Sequence, residues 1–409
     1  MVTLNETQRR EVLEKVLGTI ERKFMGPDPD ISGLREKYQP LLSQAASVDE
    51  VEQTITQLLK DLGTSHTGCF HESKPRAAGR IAIAATFAKA GTPDGPRWIF
   101  QDVHPGGIAQ QAGIRPGDVL LTINGKEYRP PEAMPFTLGE TYAFTIRRAD
   151  GSTSPATMAV PGSAEKKRPI VVPDEVVTAK RLDGGIGLIR VSMFPGVLGM
   201  DVARDISRAL ADLKCDRLII DLRGNTGGGI GCLRLMSHMC GDRRGVGYSL
   251  DRNARKRGRP KEQLPQFDHI PASKWGVVPL AVRFARAGRS VAVFTEALGS
   301  QPHHGHVAVL VNEHSASAAE MVAAFASEYG LGTLVGTKTA GRLVATSAFK
   351  VGHGFRIAIP VAAYYTWQGT NLEDAGVRPA VEEPFSAQAV WNGQDNQLNR
   401  AVQWLQQRH

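Results

Sequence analysis

The chain has 409 residues, 42% apolar and 22% charged, with 43 Gly, 24 Pro and 6% aromatic side chains, a balance that excludes disordered and fibrous classes and allows about two or three domains. Lys plus Arg is 49 against Asp plus Glu at 41, and the resulting net charge of +8 is too mild over this length to single out a nucleic-acid or membrane partner. No run of about 18 apolar residues occurs, so membrane insertion through a helix is excluded and a soluble protein is expected.

The first ten residues lead into a charged helical pattern instead of an apolar secretory core, which predicts a cytoplasmic location, or a periplasmic one if a leader has been trimmed. From 5 to 62 apolar residues recur at helical spacing: Val12, Val16, Leu17 and Ile20, then Leu34, Leu41 and Leu42 after the turn at 25–30, then Val51, Ile55, Leu58, Leu59 and Leu62. The helical segment ends at Gly63, before the loop Thr64-Ser-His-Thr-Gly-Cys69. From Ala78 the pattern turns to short β-like runs at 80–85, 98–100, 119–124 and 142–147. Between them, 105–125 predicts a short helix stopped at Gly113, a Pro-Gly-Asp turn, a strand and an Asn124-Gly125 turn. Beyond Gly162 near-continuous apolar strands at 185–191, 217–223 and 306–312 alternate with helical patterns at 202–213 and 318–329, which argues for crossover units on a mainly parallel sheet. Residues 252–305 read as irregular, and the basic run Arg255-Lys-Arg-Gly-Arg-Pro-Lys261 as a solvated loop. No RNA-binding motif or aromatic interleaving accompanies that run, so no nucleic-acid contact is expected. Cys69, Cys215, Cys232 and Cys240 lack C-x-x-C spacing and read as free, mostly buried thiols.

Chemistry concentrates at two strand ends. Ser317, followed three residues later by Glu320, reads as a capping box at a helix start. The same place suits a nucleophile, because unpaired N–H groups and the positive end of the helix dipole would stabilise an oxyanion there. The second segment, Asp221-Leu-Arg-Gly-Asn-Thr-Gly-Gly-Gly229, has glycines that let backbone N–H groups approach a ligand. A phosphate loop is its rival reading, but it lacks the Lys-Ser/Thr of a Walker sequence, and the third glycine of G-x-G-x-x-G would fall on Cys232. His303-His304-Gly-His306 has adjacent imidazoles and no carboxylate or cysteine at useful spacing, so no metal is expected. Tyr364, Tyr365 and Trp367 either line a cleft or fill the core.

The run Ala112-Gly-Ile-Arg-Pro-Gly-Asp118 to Ile123-Asn-Gly125 resembles a PDZ domain of the bacterial kind found beside proteases. Asp-Leu-Arg-x-Asn-x-Gly-Gly (221–228), Asn312-x-x-Ser-Ala-Ser-Ala-x-Glu320, Val335-Gly-Thr-Lys-Thr-Ala-Gly341 and Leu372-Glu-Asp-Ala-Gly-Val-Arg-Pro379 together resemble the C-terminal processing (tail-specific) peptidases and the tricorn core peptidase. The resemblance implies a multi-domain α/β chain: an N-terminal helical segment (1–76), a PDZ-like β domain (77–163) and a crotonase-like αββ spiral core (164–409). It also implies a nucleophile at Ser317 and an oxyanion hole from the Ala318 N–H with that of Gly227 or Gly228.

Processing peptidases take their base from a lysine, but the matching turn here is Thr339-Ala-Gly-Arg342, and arginine stays protonated. Tricorn-like members use a histidine from Thr-Ser-His and a glutamate near the C-terminus, slots filled here by His66, with Ser65 before it, and Glu373. His66, with an ordinary pKa of about 6.5, suits a base, Ser65 bridging it to Glu373. Lys338, four residues before the usual position, is the rival base. The implied reaction is hydrolysis of a peptide or unfolded protein through an acyl-enzyme, with no metal or cofactor, the PDZ-like groove adding an extended substrate segment to its sheet edge. Homo-oligomers are a further expectation of the resemblance. The alternatives are a catalytically inactive peptide-binding scaffold, motivated by the lost lysine, and an acyl-CoA enzyme on the same core fold.

Overall fold

The computed structural model describes residues 4–73, 75–132, 134–162, 172–276, 290–299 and 305–408. The apolar periodicity of the N-terminal segment becomes three helices, Glu6–Lys23, Ile31–Gln44 and Val48–Lys60, with Asn5, Asp30 and Ser47 as side-chain N-caps. Their stripes do not close on one another alone. Val12, Val16, Leu17, Ile20, Ile55, Leu58 and Leu59 share a core with Val351, Phe355, Ile357 and Ile359 from the far end of the chain. Full burial of each such side chain stabilises by roughly 1.5–3 kcal/mol, so the helices are welded to the C-terminal strands. The strand Gly68–His71, right after the helices, pairs antiparallel with Phe355–Thr366, Gly68 opposite Ala358. The loop at 64–67 is thereby held at one end of that sheet.

The β-rich middle carries a six-stranded sheet in the order Ala85–Thr92, Gly95–Val103, Val119–Ile123, Thr141–Arg147, Thr153–Ala159, with Lys126–Glu127 paired to Val119–Ile123. Phe100, Leu120, Phe136, Phe144 and Ile146 fill its core. The run at 80–85 departs from the expected strand. Gly79–Ala82 is one helical turn, the Ile83 N–H donates to the Gly79 carbonyl at 2.8 Å, Ala84 has φ +54°, and the strand begins only at Ala85. An all-apolar Ala/Ile run carries no period that separates a turn of helix from a strand. The Asn124-Gly125 turn forms as expected, with φ +50° and +77°.

The second half is built on the parallel strands Ile186–Val191, Arg217–Asp221, His306–Val311 and Thr333–Gly336, flanked by Val177–Arg181 and Val381–Glu382. Met200–Leu213, Cys232–Met239 and Ala318–Glu328 cover one face, while Asn396–Gln406 packs Ala401 and Leu405 on the other. The loops 222–228 and 312–317 both leave carboxyl ends of adjacent parallel strands, where open α/β sheets place their sites.

The aromatic run belongs to a third sheet. Tyr365 stacks on Tyr248 at 5.3 Å, Trp367 packs on Phe294 at 4.8 Å, and the buried Tyr364 donates its OH to the Val246 carbonyl. The basic run is also more ordered than a solvated loop. Its start lies in the helix Arg252–Lys256, Arg255 donates to the Met25 carbonyl, and Lys261 Nζ donates to the Trp367 carbonyl at 2.6 Å. Arg and Lys stems lie along neighbouring surface while their heads find backbone acceptors, a use that composition alone does not reveal. All four cysteines are free, and burial pushes the Cys232 thiol up to about 12. His303 and His304 lie outside the described residues. Among the described residues no helix is long and apolar enough to cross a membrane.

Candidate active site

Ser317 joins strand end to helix at φ +55°, ψ −118°, a conformation that costs free energy for any residue but glycine. Its N–H holds it there, donating to the Arg342 carbonyl at 2.9 Å and to Glu320 Oε2 at 3.0 Å. Glu320, expected only to cap this helix, is fully buried and also accepts from Thr339 Oγ1 at 2.6 Å and from the N–H groups of Gly341 at 2.7 Å and Arg342 at 2.9 Å. The nucleophile candidate and the 339–342 turn therefore hang on one carboxylate.

The glycine loop closes against Ser317 from the other side. A Cβ on Gly227 would lie 2.5 Å from Ser317 Cβ, and one on Gly228 would lie 2.0 Å from the Phe194 carbonyl oxygen, so only glycines permit this approach. Asn225, fully buried, fixes the loop: its Nδ2 donates to the Val191 carbonyl, its Oδ1 accepts the Gly227 N–H at 2.7 Å, and its own carbonyl accepts the Ala316 N–H. The choice between Gly227 and Gly228 is thereby narrowed. The Gly227 N–H is already engaged, whereas those of Gly228 and Ala318 have no intramolecular partner among the described residues.

His66 stands in the loop after the third helix at φ +58°, its Nδ1 2.7 Å from Ser65 Oγ. The Ser65 N–H donates to Glu373 Oε1 at 2.8 Å, and Glu373 Oε2 accepts the Leu343 N–H at 3.0 Å. One carboxylate thus ties the histidine loop to residue 343, next to the Arg342 carbonyl that holds Ser317. Ser65, His66 and Glu373 form one bonded set, joined to Ser317 through 342–343; among the described residues no hydrogen bond runs directly from His66 to Ser317. Burial lowers the His66 pKa below its ordinary value; the Glu373 charge opposes that, and Arg80 and Arg342 add to it. Lys338 Nζ donates to the Asp374 carbonyl at 3.4 Å, and among the described residues no hydrogen bond joins it to Ser317.

A brace from the β-rich module went unread in the sequence. Asp102 Oδ2 accepts from Thr86 Oγ1 at 2.6 Å and Asn312 Nδ2 at 2.8 Å, and Asn312 Oδ1 accepts the Gly224 N–H at 3.0 Å. His104 Nε2 lies 3.2 Å from the Gly224 carbonyl; burial and the Arg190 charge push its pKa down to about 4, so a neutral ring donates there. Residues of one strand end thus grip both loops that flank Ser317. Only Asn312 gave a signal, as part of its motif; Asp102 and His104 pair across more than 100 positions.

The description "Peptidase family S41" matches residues 185–383, a stretch that holds the glycine loop, Ser317 and Glu373, and "PDZ domain" matches residues 99–133. The second half of the chain is thus similar to peptidase family S41. The carboxyl-terminal-processing protease of Synechocystis sp. is 25% identical to this chain over 376 residues, 86% of this chain and 75% of its own. Tricorn protease homolog 1 of Streptomyces coelicolor is 22% identical over 392 residues, covering 91% of this chain, which spans only 32% of that relative's length. Among solved structures, the photosystem II D1 C-terminal processing protease aligns over 97% of both chains with a TM-score of 0.57 at 17% identity, a likeness of fold.

Proposed function

We propose that this protein is an S41-type serine endopeptidase that cleaves peptides or unfolded proteins through an acyl-enzyme on Ser317, with His66 as base and with Glu373 and Ser65 orienting it. The observation that carries this reading is the unbroken path Ser317 N–H, residues 342–343, Glu373, Ser65, His66. With Nδ1–H donated to Ser65 Oγ, the His66 Nε2 lone pair is left to take the Ser317 proton as the hydroxyl attacks the scissile carbonyl. The developing oxyanion meets the open N–H groups of Gly228 and Ala318 and the N-terminus of the Ala318–Glu328 helix. Collapse transfers the proton from His66 to the leaving amine, and water, deprotonated by His66, frees the acyl group. Glu373 favours the imidazolium that forms on the way. The same reading divides the chain at 1–76, 77–163 and 164–409, gives its core the crotonase-like αββ spiral, lets the PDZ-like sheet edge take an extended substrate strand, and includes self-association.

The pH profile of kcat/KM on an unfolded protein substrate tests it. The base works as neutral imidazole, so activity is lost as pH falls through the His66 pKa, and burial places that acid limb below about 6.5. Glu373→Gln removes the charge favouring the imidazolium, which moves the limb to still lower pH. A limb near 10, where a lysine would titrate, or one that Glu373→Gln leaves in place, contradicts the assignment.

A further inference from the structure

The basic run at 255–261 is ordered, yet the fold leaves most of its charge unanswered. Arg255, Arg257 and Arg259 are exposed, as are Arg22 and Lys23 in the last turn of the first helix, and among the described residues none of the five forms an ion pair. Of the carboxylates in the same two segments, Asp28 pairs with Arg252 and with Lys256 at 3.3 Å, while Glu21, Asp30 and Glu262 make no ion pair among the described residues. Cations therefore remain in excess.

Main-chain contacts gather these side chains into one area. Arg252 donates to the Glu21 carbonyl at 2.7 Å and Arg255 to the Met25 carbonyl at 3.3 Å, so the short helix Arg252–Lys256 lies against the end of the first helix. The turn 25–28 and the cations Arg252, Arg255 and Lys256 line a cavity of about 320 Å³. Aromatic rings adjoin it. Tyr365 packs against the cluster that holds Met25 and stacks on Tyr248, and Lys261 Nζ stands 4.4 Å from the centre of the Trp367 ring and 5.8 Å from that of Tyr248. All three rings are half-buried, and among the described residues neither the Tyr248 and Tyr365 hydroxyls nor Trp367 Nε1 has a hydrogen-bond partner, whereas the buried Tyr364 has one. Rings with a packed body and a wet polar tip suit a boundary between apolar and aqueous phases.

We infer that this face docks on an anionic membrane surface, the cavity taking a lipid phosphate headgroup, the exposed cations meeting its neighbours, and the tips of Tyr248, Tyr365 and Trp367 lying at headgroup level. Single-stranded nucleic acid is the rival occupant of a basic, aromatic face, but base stacking needs open ring faces. Here Tyr248 and Tyr365 cover each other, and Trp367 is covered by Phe294 and Lys261. A bilayer asks only for cations and wet ring tips on one side. The inference concerns where the chain is held, and it stands independently of the roles given to Ser317 and His66.

The test is co-sedimentation of the full chain with phosphatidylcholine vesicles made with and without phosphatidylglycerol. The wild type should bind the anionic vesicles about 10-fold or more tightly than the neutral ones. Raising the salt from about 0.1 M to about 1 M, which shortens the screening length from about 10 Å to about 3 Å, should release it. Arg257→Gln/Arg259→Gln should weaken binding about 20-fold, at roughly fivefold per cation, and Arg22→Gln/Lys23→Gln should do the same. Arg204→Gln/Arg208→Gln makes the same change in net charge on the helix Met200–Leu213, where Asp201 and Asp205 answer both arginines, and should alter binding by less than about twofold. All these variants should keep the wild-type circular dichroism and urea midpoint. Tryptophan emission should shift to the blue on vesicle binding, and Trp367→Phe should remove most of that shift. Equal binding to neutral and anionic vesicles, equal losses in the Arg204/Arg208 control, or a blue shift that survives Trp367→Phe overturns the proposal. Tighter binding of single-stranded DNA, lost in Arg257→Gln/Arg259→Gln, would instead give the face to nucleic acid.

Discussion

His66→Ala is expected to lower kcat on an unfolded protein substrate by about ten-thousandfold, while Lys338→Ala leaves it within about twofold. The asymmetry follows from geometry. His66 is the only titratable base on the path from Glu373 through Ser65, and its ring is held by a 2.7 Å bond at Nδ1 that aims Nε2 away from Ser65. Lys338 Nζ is occupied, weakly, by the Asp374 carbonyl at 3.4 Å, and a displacement of even about 1 Å is costly for a base. At the position where processing peptidases carry lysine, Arg342 cannot deprotonate; it serves instead through its carbonyl, which holds the Ser317 N–H. Steady-state rates at pH 8 on the two single variants, with folding verified by circular dichroism, check the prediction. Loss in Lys338→Ala with retention in His66→Ala would assign the base to the lysine.

The second large effect concerns stability. Glu320→Ala is expected to lower the unfolding free energy by about 3–5 kcal/mol, since removing a buried acceptor of several hydrogen bonds strands its donors away from water. The donors affected are the N–H groups of Gly341 and Arg342 and the Thr339 hydroxyl, with the Ser317 N–H keeping only the Arg342 carbonyl. Activity should fall too, because the strained φ of Ser317 depends on this anchor. Glu320→Gln retains shape and one acceptor oxygen but turns an amide N–H₂ toward donors, so its cost should be roughly half. Urea unfolding of the three proteins gives the comparison, and a loss below about 1 kcal/mol for Glu320→Ala would reduce the residue to an ordinary cap.

Much of this architecture is local and therefore readable in the chain. The three N-terminal helices, the Asn124-Gly125 turn, the parallel strands and the helix after Ser317 all follow from apolar period and turn chemistry over short windows. Ser65, His66 and Glu373 were singled out only by the resemblance to tricorn-like members, and the Leu343 N–H that ties Glu373 to the Ser317 side of the site by nothing in the chain, because a main-chain donor leaves no trace in residue identity. For the same reason the rivalry between Gly227 and Gly228 could not be resolved before Asn225 was seen to engage the first amide. The strand expected at 80–85 failed because Ala and Ile alternate without a polar face. The clamp made by the basic run and the Asp102–Asn312 brace are long-range facts, set by which segments the sheets bring together.

The central claim is that Ser317 is a nucleophile activated by His66. It is tested most directly by reaction of the full chain with a serine-directed fluorophosphonate, followed by intact-mass measurement and peptide mapping. A single phosphonyl adduct on the peptide containing Ser317 is expected at pH 8, retained in Lys338→Ala, and absent in Ser317→Ala and, over the same interval, in His66→Ala. An unlabelled wild type, or labelling at Ser317 that proceeds at the same rate without the imidazole, would contradict the account.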